Sequence, residues 1–313
     1  RTYHSEAAIW RDVVAKRPFN SRGHENLGSA LRDQGQHEEA MACFRRAVQL
    51  NPRSAMAHTS LGTALVERGD IQEGFQHLRH AIALNPQLVE GHNNLGIALA
   101  QQGDLDEGLV AYESAVTIEP NYAKGHYNIG CVLLRRNQFP DAIAKFRKAL
   151  ELNPHFLEAH GNLSVGLLQE ARLHEASGQL VGELQRHLGF VTTELTPDTA
   201  LVNQLRSEAV AHLVKAVKLN PNLAETHNSL GYAVLQQGKV QEAAGHLSEA
   251  LRLNPAYAKA RFNLGEALAA QSRWEEARVQ YAEAVRLAPD MAEAHNALAK
   301  VLAQMGPDAR TAN

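Results

Sequence analysis

Prolines recur every 34 residues along most of this chain, at Pro18, Pro52, Pro86, Pro120 and Pro154, and again at Pro221, Pro255 and Pro289. A second marker keeps the same phase: Leu27-Gly28, Leu61-Gly62, Leu95-Gly96, Ile129-Gly130, Leu163-Ser164, Leu230-Gly231 and Leu264-Gly265. Two unrelated markers in one register require a chain built of copies. Such a chain grows along one axis, each copy resting on its neighbours, instead of closing round a single core. Its 313 residues would otherwise suggest two globular domains. The period overrides that expectation.

The clearest copy runs from Val89 to Tyr122. With Val89 as position 1, leucine stands at 7, glycine at 8, leucine at 11, a small residue at 20, an aromatic at 24, alanine at 27 and proline at 32. Positions 4, 7, 8 and 11, then 20, 24 and 27, have helical spacing. Between the two sets lies a turn signal, Gly35-Gln36, Gly69-Asp70, Gly103-Asp104 or Gly238-Lys239. Asp70 with Glu73, and Asp104 with Glu107, have the spacing of a capping box that opens a second helix. Asn-Pro ends that helix, because proline disfavours helical geometry in the residue before it. Each unit therefore reads as helix A, tight turn, helix B, short turn. Glycine at 8 and a small residue at 20 let the two helices approach closely. One unit alone buries too little apolar surface to offset the ordering of its backbone, so the units must stack.

This register divides the chain as follows: 1–20 is an orphan helix B with Trp10 at the aromatic position, and repeats one to five occupy 21–54, 55–88, 89–122, 123–156 and 157–190. Residues 191–223 form a degenerate sixth repeat with a long second helix. Repeats seven and eight follow at 224–257 and 258–291, and 292–313 is a terminal helix A with a tail. The irregular part is about 171–200. Leu173, Ala176, Leu180, Leu184 and Leu188 are expected to form helix B of repeat five, and Thr196-Pro197 opens a helix to about Leu219. Between them Gly189 to Thr196 is rich in β-branched residues and is expected to be extended, bridging the array's phase, with a helical excursion outside the stack as the alternative.

Net charge is −3, from 31 basic and 34 acidic residues, so no global field recruits nucleic acid or anionic lipid. Cys43 and Cys131 fall at different repeat positions and make no disulfide framework. No apolar run is long enough to span a membrane, and no direct membrane insertion of this segment is expected. The sequence begins at Arg1, which implies residues upstream; the expectation is a soluble segment, cytoplasmic or on the extracytoplasmic face of a membrane protein.

The pattern resembles the tetratricopeptide repeat, Trp-x-x-Leu-Gly-x-x-Tyr followed by Ala-x-x-x-Phe-x-x-Ala and Pro. The commonest departure is histidine for tryptophan at position 4: His24, His58, His92, His126, His160, His227 and His295. A His-x-Asn-Leu-Gly repeat is similar to those of the O-linked N-acetylglucosamine transferase family and of many bacterial arrays. The resemblance implies an all-α, right-handed superhelical solenoid that binds protein segments in its concave groove.

Nothing in the sequence points to catalysis. Gly-x-Ser-x-Gly, His-Glu-x-x-His, phosphate-loop and dinucleotide patterns are all missing, so no enzyme and no cofactor is expected. The position-4 histidines sit one per repeat, on helices that pack about 8–10 Å apart, while zinc needs donors within about 2.1 Å; they read as packing residues and no metal site is expected. His77 and His80, a turn after Glu73, read as a solvated face. The sequon Asn162-Leu163-Ser164 crosses the leucine marker of repeat five and reads as chance.

The informative residues lie opposite the core stripe of helix A. Position 6 reads Asn26, Ser60, Asn94, Asn128, Asn162, Ser229 and Asn263. Helix propensity does not favour asparagine there. Either repeat duplication or function explains it. An amide both donates and accepts, so a row of amides can hold an extended peptide backbone whatever its side chains. The resemblance implies the same, because the transferase repeats line their groove with an asparagine ladder, matched here at Asn26, Asn94, Asn128, Asn162 and Asn263. Position 9 adds an apolar strip, Ile97, Cys131 and Val165, then Tyr232, while Lys124 and Arg135 add charge. The lysine-5, asparagine-9 pattern of chaperone-tail clamps is missing, since repeats one to three carry Glu25, Thr59 and Asn93 at 5. The expected activity is that of a non-catalytic scaffold for a protein or peptide ligand, chiefly in the groove of repeats three to five, with no nucleic-acid partner. Two alternatives stand beside it. One is the repeat domain of a larger membrane-anchored protein, because Trp10 to Pro18 is similar to the start of repeat domains that follow glycosyltransferase-like membrane regions. The other is self-association through the N-terminal helix, where Ile9 and Val13 lack a partner helix.

Overall fold

The computed structural model describes residues 5–188 and 199–305, with side chains throughout except those of 180–188. Among the described residues there are sixteen helices and no strand. The chain divides into two compact units, the first ending at Arg135 and the second beginning at Arg136.

The first unit contains α1 (Glu6–Lys16), α2 (Ser21–Asp33), α3 (His37–Leu50), α4 (Ala55–Arg68), α5 (Ile71–Leu84), α6 (Val89–Gln102), α7 (Leu105–Ile118) and α8 (Ala123–Arg135). Here α2/α3, α4/α5 and α6/α7 are the helix A/helix B pairs, and α2, α4, α6 and α8 lie side by side. The second unit contains α9 (Phe139–Leu152), α10 (Leu157–Leu188), α11 (Thr199–Leu219), α12 (Ala224–Leu235), α13 (Val240–Leu253), α14 (Ala258–Ala269), α15 (Trp274–Leu287) and α16 (Ala292–Met305). Its pairs are α10/α11, α12/α13 and α14/α15.

The small residue at position 8 is where paired helices touch. A Cβ on Gly28 would lie 2.5 Å from the Phe44 ring, and one on Gly265 the same distance from Tyr281. Phe44 and Tyr281, both at position 24, are fully buried. The turn is equally regular, with position 15 left-handed: Gly35, Gly69, Gly103 and Gly238 have positive φ, and Asn137 and Ser272 take that place in repeats four and eight. Five second helices end at asparagine, whose Oδ1 accepts from the backbone N–H two residues on, for example Asn85 from Gln87 at 3.1 Å, while α7 and α15 end at Glu119 and Ala288. The expected capping boxes do not form. Asp70 and Asp104 are the N-cap residues, but at ψ of 61° and 67° neither side chain reaches the helix N–H groups. Asp70 instead accepts from Arg68.

Repeat five departs from expectation. No turn separates 157–170 from 171–188, and α10 is one helix of 32 residues, about 48 Å long. Position 15 in this repeat is Ala171, fully buried, where the other repeats have a residue suited to positive φ. With no left-handed stop the helix continues. Leu173 is 54% exposed, so it does not serve as a core residue of a helix B. The second helix that packs on α10 is α11. His160 meets His212, 52 residues on, as His58 meets His77, 19 residues on. Thirty-three extra residues therefore lie inside repeat five, where the sequence suggested a sixth repeat. Arg206 to Glu175 at 2.7 Å ties the lengthened helices together, and Arg147 of α9 holds Glu208 of α11 through both carboxylate oxygens. The stretch 189–196, expected to be extended, lies outside the described residues.

Candidate interaction groove

The position-6 amides do not stand free in a row. Asn94 donates to Thr63 Oγ1 at 3.0 Å and accepts from Asn93 Nδ2 at 3.2 Å; Asn128 donates to Asn93 Oδ1 at 2.8 Å. A continuous polar seam thus crosses α4, α6 and α8. In the second unit Asn263 donates to Asn228 Oδ1 at 2.8 Å, and Asn228 donates to the Tyr257 hydroxyl at 3.4 Å. Burial pushes that phenol above its usual pKa. Each donor at position 6 reaches position 5 or 9 of the preceding helix A, because consecutive first helices lie side by side. Asn263 is only 2% exposed and its amide nitrogen already donates to Asn228, so it offers a ligand less than an open ladder would. Sequence reasoning missed Thr63, Asn93 and Asn228. The signal was present as amide pairs 35 apart, Asn93 with Asn128 and Asn228 with Asn263.

The remaining candidates divide between the units. In the first, Asn26 and Cys131 are half-buried, and Lys124 and Arg135 are exposed. Arg135 donates to the Ala100 carbonyl at 3.1 Å, near the C-terminus of α6, which leaves it less free for a ligand than expected. Asn94 and Ile97 share a cavity of about 390 Å³ with Arg32, Thr63, Val66 and Gln101, lined only by α2, α4 and α6. Asn162, half-buried, belongs to the second unit.

A larger cavity of about 570 Å³ opens among α10, α12, α14 and α16. It brings together Val165, Tyr232 and Asn263 from the expected set with Leu168, Arg172, Lys259 and Phe262, which the sequence did not single out. Arg172 was unreadable because its place depends on α10 running through position 15. Its guanidinium donates to the Tyr232 hydroxyl and lies 5.2 Å from the centre of that ring. Lys259 Nζ stands 5.2 Å from the Phe262 ring. Two carboxylates, Glu266 and Glu293, balance these cations, and Glu266 accepts from the Tyr281 hydroxyl at 2.6 Å. The wall is thus apolar and aromatic with polar groups of both signs.

The position-4 histidines pack as expected, with a specific partner. In all seven, Nε2 lies 2.9–3.0 Å from the carbonyl of the proline six residues earlier. In repeat eight, Arg261 takes that position and donates to Pro255 O at 3.2 Å. His77 is corrected from solvated to half-buried, because its ring packs on His58. Among the described residues no group of three histidine, cysteine or carboxylate side chains is arranged to hold a metal ion, and no helix is long and apolar enough to cross a membrane.

Helix pairs repeated in one register, with grooves between first helices, define an all-helical repeat scaffold. Tetratricopeptide-repeat models match residues 28–156 and 207–306, and the chain belongs to the tetratricopeptide-repeat family. No curated protein matches it. Among solved structures, a chain of the APC/C Cut9–Hcn1 hetero-tetramer aligns over 95% of this chain and 52% of its own, at TM-score 0.69 and 16% identity. The present chain thus spans about half the length of that relative. YrrB, described as a repeat protein with an unusual peptide-binding site, aligns over 72% of this chain and 98% of its own, at 0.53 and 21%. Human IFIT1, a dimer with m7Gppp-AAAA, aligns over 98% and 69%, at 0.66 and 16%. At these identities the likeness is one of fold. That fold is typical of protein–protein interaction.

Proposed function

We propose that this chain is a non-catalytic scaffold that grips an extended polypeptide segment along its first helices, with the 570 Å³ cavity of the second unit as the main anchor. The observation that carries this reading is the cavity wall. Val165, Leu168, Tyr232 and Phe262 offer apolar surface beside hydrogen-bonding groups on Asn228, Ser229 and Arg172, the mixture a side chain with its flanking backbone needs. Two cations matched by two carboxylates favour a polypeptide over a polyanion such as RNA. The smaller cavity at Asn94 and Ile97 would take a second segment.

The test is selection of displayed 12-residue peptides against the whole chain, followed by titration of the winners against variants. Val165 is 40% exposed, so V165D leaves the core intact and should weaken binding at least tenfold. V110D, on a helix-B groove where Val110 is 63% exposed, should not. Winners that ignore V165D and lose affinity with V110D would move the site to the second helices. A single-stranded RNA oligonucleotide is expected not to compete. Self-association through α1 is a second reading, supported by the exposed Ile9 and Phe19; light scattering over a concentration series should then show a mass that falls with I9D.

A further inference from the structure

Three repeats carry histidine at position 23 as well as at position 4, giving the pairs His58–His77, His160–His212 and His227–His246. In the first two, Nδ1 lies 2.8 Å from Nδ1, with ring centres 5.0 Å apart; in the third the ring centres are 5.7 Å apart and His227 Nδ1 accepts no hydrogen bond, so that pair is not joined. The proline carbonyl fixes the proton count. A carbonyl only accepts, so the position-4 ring carries its hydrogen on Nε2 and presents a lone pair at Nδ1. A 2.8 Å approach is then a hydrogen bond in which His77 or His212 donates from Nδ1. The two neutral rings join helix A, helix B and the preceding turn through two hydrogen bonds, one from Nε2 to the proline carbonyl and one between the Nδ1 atoms. A doubly protonated pair would aim two N–H groups at each other across the same gap.

We propose that the two hydrogen-bonded histidine pairs are acid-released latches, and that repeats two and five open locally as pH falls from 7 to 5 while repeats one and eight do not. Repeat one has Cys43 at position 23, so no second imidazole is present. Repeat eight shows the same joint built without a titrating group: Arg261 donates to Gln280 Oε1 at 3.0 Å and to Pro255 O.

The surroundings act in both directions. Around the first pair stand His80, with its ring 4.5 Å from that of His58, and Arg45, both opposing charge, and Glu73, favouring it. Around the second stand Lys215, His155 and Arg147 against Glu208. Burial is the largest influence on His58, His77, His160 and His212, and lowers each; His212 falls to about 4. The sign follows: below pH 6.5 an unfolded histidine takes up a proton that the closed pair refuses, so the closed state loses stability as pH falls through that window.

Hydrogen–deuterium exchange of the whole chain at pH 7 and pH 5, corrected for intrinsic rates, reads this repeat by repeat. Peptides from α4/α5 and α10/α11 should gain at least tenfold in exchange at pH 5, and those from α2/α3 and α14/α15 less than threefold. The variant H58R/H77Q copies the joint of repeat eight and should remove the acid response from repeat two alone. Equal responses in all repeats, or a variant still acid-sensitive in repeat two, would overturn the proposal. Should that variant fail to fold, long-range ¹H–¹⁵N spectra of the wild type decide: His58 and His160 must show an unprotonated Nδ1 at pH 7, and protonated Nδ1 in either sinks it.

Discussion

If the asparagines at position 6 are clamps between repeats, then N263A must destabilise the fold, and by a calculable amount. Asn263 and Asn228 are both buried and joined at 2.8 Å. Removing the Asn263 amide leaves the Asn228 carbonyl oxygen without a donor, which costs roughly 1–3 kcal/mol. Alanine gains up to about 0.7 kcal/mol of helix propensity, so with that full gain the net loss is about 0.3–2.3 kcal/mol. N228A strands the Asn263 amide hydrogens and should lose a similar amount. The double variant strands neither, and should fall short of the sum of the singles by about 0.5–3 kcal/mol. Urea unfolding of the four proteins, followed by circular dichroism at the helix band, measures these terms. Additive singles, or singles indistinguishable from wild type, would show that the amides do not couple. The asparagine ladder would then need another cause.

Three further outcomes follow from the packing. G265A places a methyl 2.5 Å from the Tyr281 ring, which is fixed by its bond to Glu266, and should lower stability by about 1–3 kcal/mol; an unchanged thermal midpoint would show that the ring yields freely. R261H restores the residue found at this position in the other repeats with the Pro carbonyl contact, and should stay within about 0.5 kcal/mol of wild type. R261A, which loses the bond to Pro255, should cost about 0.5–1.5 kcal/mol in the same denaturation assay, and equal losses for both would refute the role given to that carbonyl. E208Q breaks the two-oxygen grip of Arg147 at a half-exposed site, so its cost is only about 0.2–1 kcal/mol and should vanish in 1 M salt. A salt-independent loss would mean that the pair acts through packing.

Much of the fold was legible because repeat architecture writes the same local problem many times. Proline at 32, glycine at 8 and the aromatic at 24 each report a contact inside one unit or at its junction, and the helix bounds follow them closely. Ala171 shows where reading failed: the missing left-handed residue at position 15 was visible, but its consequence was not. Whether a helix stops or runs on past such a position depends on whether something packs on the extension. In this chain α11, beginning at Thr199, packs there. The site was less legible. Val165 and Tyr232 were placed on the right side of the helices, whereas Arg172, Lys259 and Phe262 were not singled out, because a cavity is made by side chains that are remote in sequence.

By itself the sequence determined the unit, its helices and its phase, since these rest on spacing within about 34 residues and on the φ preferences of glycine and proline. Only the tertiary structure decided which groups face one another between units: amides closing on the previous first helix, imidazoles closing on a second one, and 33 residues lengthening repeat five from within. The physical reason is reach. A hydrogen bond is satisfied within about 3 Å, and which donor comes that close to which acceptor is set by how two helices approach.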